Sequence, residues 1–354
     1  MNDMSTPRSA LYSEMSGLHL TPLWEVLHAL VPPQPRPAAV PCLWKYDDVR
    51  PFIERAGQLI TAEEAIRRVL IFENPGLPGR SSVTGSLYAG LQLILPGEVA
   101  PAHRHTQSAL RFIVEGSGAY TAVNGERTTM APGDFIITPS WTWHDHGNEG
   151  NEPVVWLDGL DIPTVAFFDA GFAENSESTM QAVARPEGAS AALHGANMAP
   201  MSHADRQPPG ATSPLFTYPY ARARESLASL ARFAAADPCD GIKLRYTNPA
   251  TGGWPMPTIA TFLQRLPAGF RGRAYRQTDG AVFSVVEGAG RAVMTSDTGD
   301  TPTTHTFEFG PRDHFVVPSW TSLALEADED AYLFSFSDRP AQQALGLWRE
   351  DRNL

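Results

Sequence analysis

His103 and His105 stand two apart in a run that reads as extended, and His144 follows in a separate run. Along a strand, residues i and i+2 point to one face. The first two histidines therefore present two imidazoles to one side, and the third comes across from another strand. Three neutral imidazoles with open positions opposite suit a catalytic divalent metal better than a closed structural site. A single strand histidine is more often an ordinary core or surface residue. The pair plus a third favours the metal, because all three sit at fixed glycine and proline punctuation: Gly97-x5-His103-x-His105, then Gly133-x5-Pro139-x4-His144-x3-Asn148.

Strands must carry these side chains. From Leu87 to Pro163, short runs rich in β-branched and aromatic residues (SLYAGLQLIL, SALRFIVEG, DFIITPSW, VVWLDGLDI) alternate with Gly, Pro, Asn and Asp clusters. That spacing predicts an all-β sandwich or barrel, with Asn124-Gly125 as the sharpest hairpin signal. Strand-like runs resume from Thr258 to Phe336. VEGSG at 114–118 matches VEGAG at 286–290, and PGDFIITPSWT at 132–142 aligns without a gap to PRDHFVVPSWT at 311–321. Internal duplication is the economical reading, giving two β domains of one architecture. Aligned on these repeats, His103, His105 and His144 become Tyr275, Gln277 and Leu323, so the second copy is expected to be metal-free and structural. His305 and His314 are then incidental.

Around the β regions, Thr21-Pro22 before LWEVLHAL and the capping box Thr61-Ala62-Glu63-Glu64 before AIRRV predict helices. The resulting organisation is a helical arm over 1–80, a first barrel over 81–171, a linker with a helix over 172–250, and a second barrel over 251–354. The polar run 172–215 reads as an inter-domain linker draped over a neighbour, and 220–236 as one helix.

The chain has 354 residues and a net charge of 27 − 39 = −12. Nucleic acid and anionic lipid both need a basic footprint, so neither is an expected partner. Cys42 and Cys239 cannot form a disulfide framework and fit a reducing compartment. No apolar run approaches the ~18 residues of a membrane span, and the first fifteen residues lack a signal peptide's apolar centre. The expectation is a soluble cytoplasmic protein.

The two punctuated histidine motifs resemble those of the cupin superfamily, and the repeat then resembles the second half of a bicupin: mainly β, with two double-stranded β-helix (jelly-roll) barrels behind an N-terminal helical arm. Many cupins carry a glutamate ligand about four residues after the second histidine. Here that place is Ala109, which leaves a three-histidine site. At finer grain, ENPGL at 73–77, YAGLQLILPGEVAPAHRHTQSALRFIVEG at 88–116 and WLDGLDIP at 156–163 are similar to gentisate 1,2-dioxygenases and their salicylate and 1-hydroxy-2-naphthoate relatives. The resemblance implies an Fe(II) dioxygenase, tetrameric in this family, that opens an aromatic hydroxy acid with O2 between the carboxyl- and hydroxyl-bearing carbons. Gentisate would give maleylpyruvate.

Three neutral histidines leave Fe(II) its full +2 charge, which favours a chelating anion. Counting in twos from His105 reaches Arg111, whose interior guanidinium needs an anion. That anion is either the substrate carboxylate or a salt-bridge partner, Asp158 or Glu115. Tyr88, Gly90 and Gln92 share parity on the preceding strand: a hydrogen bond to a ring substituent (or plain packing), room for the ring, and a grip on a hydroxyl. His146 is read as acid/base help with the phenolic proton or as a satisfied neighbour. Asp158 would orient a ligand histidine or Arg111, and Arg67 with Arg68 on the helical arm could close over the carboxylate or stay solvated. Trp141 and Trp143 are expected to pack. The competing functions are salicylate or 1-hydroxy-2-naphthoate cleavage, and a non-catalytic bicupin that binds a carboxylate. A sugar-phosphate isomerase is disfavoured because Ala109 supplies no carboxylate ligand.

Overall fold

The computed structural model describes residues 7–196, 211–297 and 301–353, in two compact units that divide between Arg36 and Pro37. The smaller unit pairs α1 (Pro7–Gly17) with α2 (Leu23–Leu30). Tyr12 joins them, donating to Glu25 at 2.5 Å and accepting from Trp24 Nε1 at 2.8 Å. Pro22, not Thr21, occupies the α2 N-cap, and no side chain caps the helix.

The larger unit begins with β1 (Cys42–Trp44), α3 (Tyr46–Leu59), α4 (Ala62–Ala65) and β2 (Val69–Ile71). The first barrel follows: β3 (Tyr88–Ile94), β4 (Val99–His105), β5 (Ala109–Glu115), β6 (Ala119–Val123), β7 (Glu126–Thr129), β8 (Phe135–Thr138), β9 (His144–Asn148) and β10 (Val154–Leu160). Next come α5 (Ile162–Phe167), β11 (Ala173–Asn175), α6 (Ala189–His194), β12 (Thr217–Tyr218), α7 (Tyr220–Leu230) and β13 (Ile242–Arg245). The second barrel comprises β14 (Ala260–Leu266), β15 (Phe270–Arg271), β16 (Arg276–Gln277), β17 (Ala281–Glu287), β18 (Gly290–Ser296), β19 (Thr303–Phe309), β20 (His314–Val317), β21 (Ser322–Ala327) and β22 (Ala331–Ser337), closed by α8 (Arg339–Ala344) and β23 (Glu350–Asp351). Among the described residues, no helix is long and apolar enough to cross a membrane.

Each barrel stacks two antiparallel sheets. In the first, β12-β8-β5-β10-β3-β2 faces β11-β4-β9-β6-β7; in the second, β1-β20-β17-β22-β14-β13 faces β15-β21-β18-β19. Strands β3, β5, β10 and β22 are buried along nearly their whole length, because both their faces are covered. One face packs barrel against barrel, with Phe112 stacked on Phe334 at 4.1 Å between centroids. The other face of β3, β5 and β10 lines the first barrel's interior, where Ile94, Ile113, Ile136 and Trp156 form a small apolar floor.

The duplication reaches further than the motifs that betray it. Strand β1 joins the second barrel at β20, and β12 joins the first at β8. The helix after each strand then braces both barrels. Tyr46 N–H donates to Asp313 at 2.9 Å and its hydroxyl to Glu115 at 3.0 Å; Tyr220 N–H donates to Asp134 at 2.9 Å and its hydroxyl to Glu287 at 2.5 Å. Arg50 and Arg224, one turn on, pair with the same two glutamates at 2.8 Å. Residues expected as arm and linker thus hold equivalent strand–helix pieces, each attached to the barrel that is farther along the chain from it.

Three expectations need revision. The segment AIRRV does not continue the helix: Thr61 caps it through the Glu64 N–H at 3.1 Å, but Ile66 turns to φ +57° and α4 ends at Ala65. The polar run up to Ser190 lies on its own barrel, since β11 pairs with β4 and Ser190 donates to the buried Glu126, whereas Ser213 N–H reaches the Pro255 carbonyl at 2.7 Å on the way into the second barrel. Residues 197–210 of that run lie outside the described residues. The helix expected over 220–236 ends at Leu230.

Candidate active site

The register of β4 against β9 sets His103 opposite His144, after an irregularity between Ala100 and His103. His105 lies on the same face, and potential ligand atoms of the three rings all fall within 4.8 Å of one another. The backbone decides which nitrogens are free. His105 Nδ1 lies 2.9 Å from the Gln107 carbonyl and His144 Nδ1 2.9 Å from that of Thr142. A protonated Nδ1 donates to these oxygens and leaves Nε2 unprotonated for a metal. His103 Nδ1 has the Pro101 carbonyl at 3.3 Å and Arg67 Nη2 at 2.6 Å. Burial, then the Arg67 charge, holds His103 down to about 3; burial chiefly holds His105 to about 4; and His144 lies well below its ordinary value for the same first reason. All three are therefore neutral imidazoles near pH 7, the form that ligates. This donor set fits a divalent transition metal.

Arg111 is 4 % exposed on β5. It donates to Thr138 Oγ1 at 2.5 Å and faces Asp158 at 3.7 Å, while its Nε has no hydrogen-bond partner. Of the two candidate salt bridges only Asp158 is present, because Glu115 is engaged by Arg50, Tyr46 and Arg312. Burial lowers Arg111 to about 10 and raises Asp158 to about 6. Asp158 accepts from Trp156 Nε1 at 2.9 Å and makes no bond to a ligand histidine, so Arg111 is the group it steadies. Arg67 turns inward from the bend after α4, donating to the Pro101 carbonyl at 2.8 Å. Burial, then the Arg111 charge, lowers it to about 9. Arg68 points away and pairs with Glu98; it belongs to the scaffold. Neither arginine is helical.

Tyr88 and Gln92 are buried on β3, and burial, with Asp158 adding to it, pushes the Tyr88 phenol up. At Gly90 a Cβ would come within 2.7 Å of Val69 Cγ1 and 2.8 Å of the Leu70 carbonyl oxygen. The glycine lets β2 approach, so the space expected for a ring there is already filled. His146 lies beyond the triad, 5.8 Å from His144 between ring centroids. Its Nδ1 is 3.0 Å from Thr121 Oγ1, and its Nε2 is buried without a partner. Burial and the Arg111 charge keep it neutral. Trp141 and Trp143 pack as expected, and what they pack on is the Arg104 guanidinium, at 4.5 and 4.7 Å. Thr138, the one short partner of Arg111, was not singled out from sequence; its place two residues from Ile136, which opposes Arg111, was the available signal.

In the second barrel the three equivalent positions are Tyr275, Gln277 and Leu323, two of them in the apolar core. The scaffold around them is nonetheless repeated. Trp141 N–H donates to the His105 carbonyl at 2.7 Å, and Trp320 N–H to that of Gln277 at 2.6 Å, both from left-handed backbone at φ +58° and +57°. The fold and the open histidine face together define a two-barrel cupin with one metal-competent barrel.

Comparison with known proteins agrees. Residues 90–160 match the family described as Cupin domain. Gentisate 1,2 dioxygenase 1 of Aquipseudomonas alcaligenes is 53% identical over 98% of this chain and 96% of its own length. The 1-hydroxy-2-naphthoate 1,2-dioxygenase of a Nocardioides species is 38% identical over 90% of this chain and 80% of its own. Among solved structures, a mutant salicylate 1,2-dioxygenase from Pseudoaminobacter salicylatoxidans in complex with gentisate superposes with a TM-score of 0.90, at 35% identity over 99% of this chain and 96% of that one. The chain belongs to the gentisate 1,2-dioxygenase family of ring-cleaving oxidoreductases.

Proposed function

We propose that this protein is an Fe(II)-dependent dioxygenase that opens gentisate to maleylpyruvate, with both atoms of O2 entering the product. The carrying observation is the convergence of His103, His105 and His144 in the same barrel interior as a buried, incompletely paired arginine. Iron held by the three histidines would supply a chelating +2 centre and the redox partner for O2. Arg111 and Arg67, cationic at neutral pH with Asp158 beside Arg111, bind the substrate carboxylate. Asp158 orients Arg111. Gln92 fixes the ring hydroxyl, Tyr88 meets the para-hydroxyl, and His146 receives the phenolic proton at Nε2. The net positive pocket explains how a chain of charge −12 attracts an anion. The family resemblance further suggests a homotetramer, which light scattering reads directly. Two free cysteines are consistent with a cytoplasmic setting.

Oxygen uptake and product absorbance with gentisate, salicylate and 1-hydroxy-2-naphthoate test the reading on iron-replete and chelator-treated protein. Turnover of gentisate by the iron-replete form alone is expected. Turnover of salicylate with none of gentisate would replace the substrate. Tight binding of the acids with no oxygen uptake would leave a carboxylate-binding bicupin.

A further inference from the structure

The chain that leaves the first barrel forms the outer wall of the metal centre. Strand β11 lies against β4 with Ala173 opposite His105 and Asn175 opposite His103. Six residues on, Gln181 reaches the His144 segment and the adjoining β6 hairpin through its main-chain N–H and both side-chain polar atoms. Its main-chain N–H donates to Asp145 Oδ2 at 3.0 Å, its Nε2 to the carbonyls of Ala122 at 2.9 Å and Trp143 at 3.2 Å, and its Oε1 accepts from Gly125 N–H at 2.6 Å. Trp143 and Asp145 are the residues on either side of His144. Asp145 is 1 % exposed, so its carboxylate depends on the donor that Gln181 brings. Across the β6–β9 ladder, Ala122 opposes Asp145 and Val123 opposes His144. The four bonds therefore tie both neighbours of the third histidine to the adjoining strand and to the hairpin beyond it.

We propose that Gln181 is a positioning residue for the metal centre: by holding the Trp143 carbonyl before His144 and the Asp145 carboxylate after it, it keeps that imidazole with Nδ1 on the Thr142 carbonyl and Nε2 turned to the metal. The inference rests on the triad being the metal site. Partners that orient a ligand from outside typically govern metal affinity by roughly tenfold to a hundredfold when removed. Glu187 supplies an internal contrast. It anchors the same segment through the Thr129 N–H and hydroxyl and touches nothing beside His144.

The experiment is Co(II) titration of the metal-free full-length protein, read by visible absorption and by competition with a chelating dye. Gln181→Ala should weaken Co(II) binding roughly tenfold or more and alter the cobalt spectrum, whereas Glu187→Ala should bind and absorb like the parent. Thermal unfolding of each metal-free variant checks that the fold survives. Should Gln181→Ala not fold, Asp145→Ala breaks the other tie, from the Gln181 main-chain N–H to the residue after His144, and carries the same expectation. Parent-like affinity and spectrum in Gln181→Ala, or equal losses in Gln181→Ala and Glu187→Ala, would overturn the positioning role and leave the metal site intact. Failure of the parent to bind Co(II) at all would instead overturn the metal reading beneath it.

Discussion

Arg111 illustrates how one side chain can be both structural and functional. Buried with a carboxylate at 3.7 Å and a short bond to Thr138, it is held in place yet retains an unpartnered Nε. Hydrogen bonds to charged groups contribute about 1.5–3 kcal/mol. Arg111→Ala should therefore raise KM for the aromatic acid roughly tenfold to a hundredfold with a much smaller change in kcat; an unchanged KM in steady-state kinetics would remove Arg111 from carboxylate binding. Arg111→Lys should recover only part of the loss, since an ammonium lacks the planar fork. His146 makes the opposite prediction. His146→Ala should keep its iron, measured by metal analysis, and lose roughly 10²–10⁴ in kcat. Loss of the metal would place His146 among the ligands. The convergence of His103, His105 and His144 and the inward faces of Arg111 and His146 were legible, from fixed punctuation and from strand parity that is strict over a few residues. Gly90 misled for a related reason: parity fixes a face, but not whether that face is already occupied by a neighbouring strand.

At the scale of elements, the barrels announced themselves through turn chemistry and repeated motifs, whereas the braces between them did not. Tyr46 and Tyr220 begin helices with little shared sequence (YDDVR against YARAR), yet each places an amide on the aspartate of one barrel and a hydroxyl on the glutamate of the other. Two bonding positions spaced four apart are too sparse to register as a repeat, and the partners lie far away in sequence. Asp313 accepts from Tyr46 N–H, Gly310 N–H and Lys45 Nζ. Asp313→Ala should cost roughly 1–3 kcal/mol of unfolding free energy by leaving donors unpaired, and Asp134→Ala, which frees Tyr220 and Ala131, should cost a similar amount. Denaturant unfolding measures both. A near-zero cost at both sites would mean that the braces are ornamental. The way the polar run after β10 attaches to the first barrel was hidden for a similar reason: its small polar residues carry no period, and its partners, Glu126 and Asp145 among them, lie on other elements far back in the chain.

For the whole molecule, the second barrel keeps the scaffold and carries Tyr275, Gln277 and Leu323 where the first has its three histidines. His314 occupies the place of Phe135 in the first repeat and is fully buried, with neither ring nitrogen partnered. Burial holds it to about 3 against an ordinary 6.5. Above that ordinary value neither state binds the proton. Between it and about 3, only the unfolded chain does, so stability falls as pH falls, by about 1.4 kcal/mol per pH unit for this one group. His314→Phe should remove that contribution, making the variant's advantage over the parent grow from pH 6 to pH 4; parallel stability curves would refute it. The proposed function requires one iron, one aromatic acid and one O2 to meet in the first barrel. Turnover of gentisate under ¹⁸O2 tests that claim most directly. Mass spectrometry of the ring-opened product should find both atoms of one labelled O2 in maleylpyruvate, whereas a single labelled oxygen, or an intact hydroxylated ring, would contradict the account.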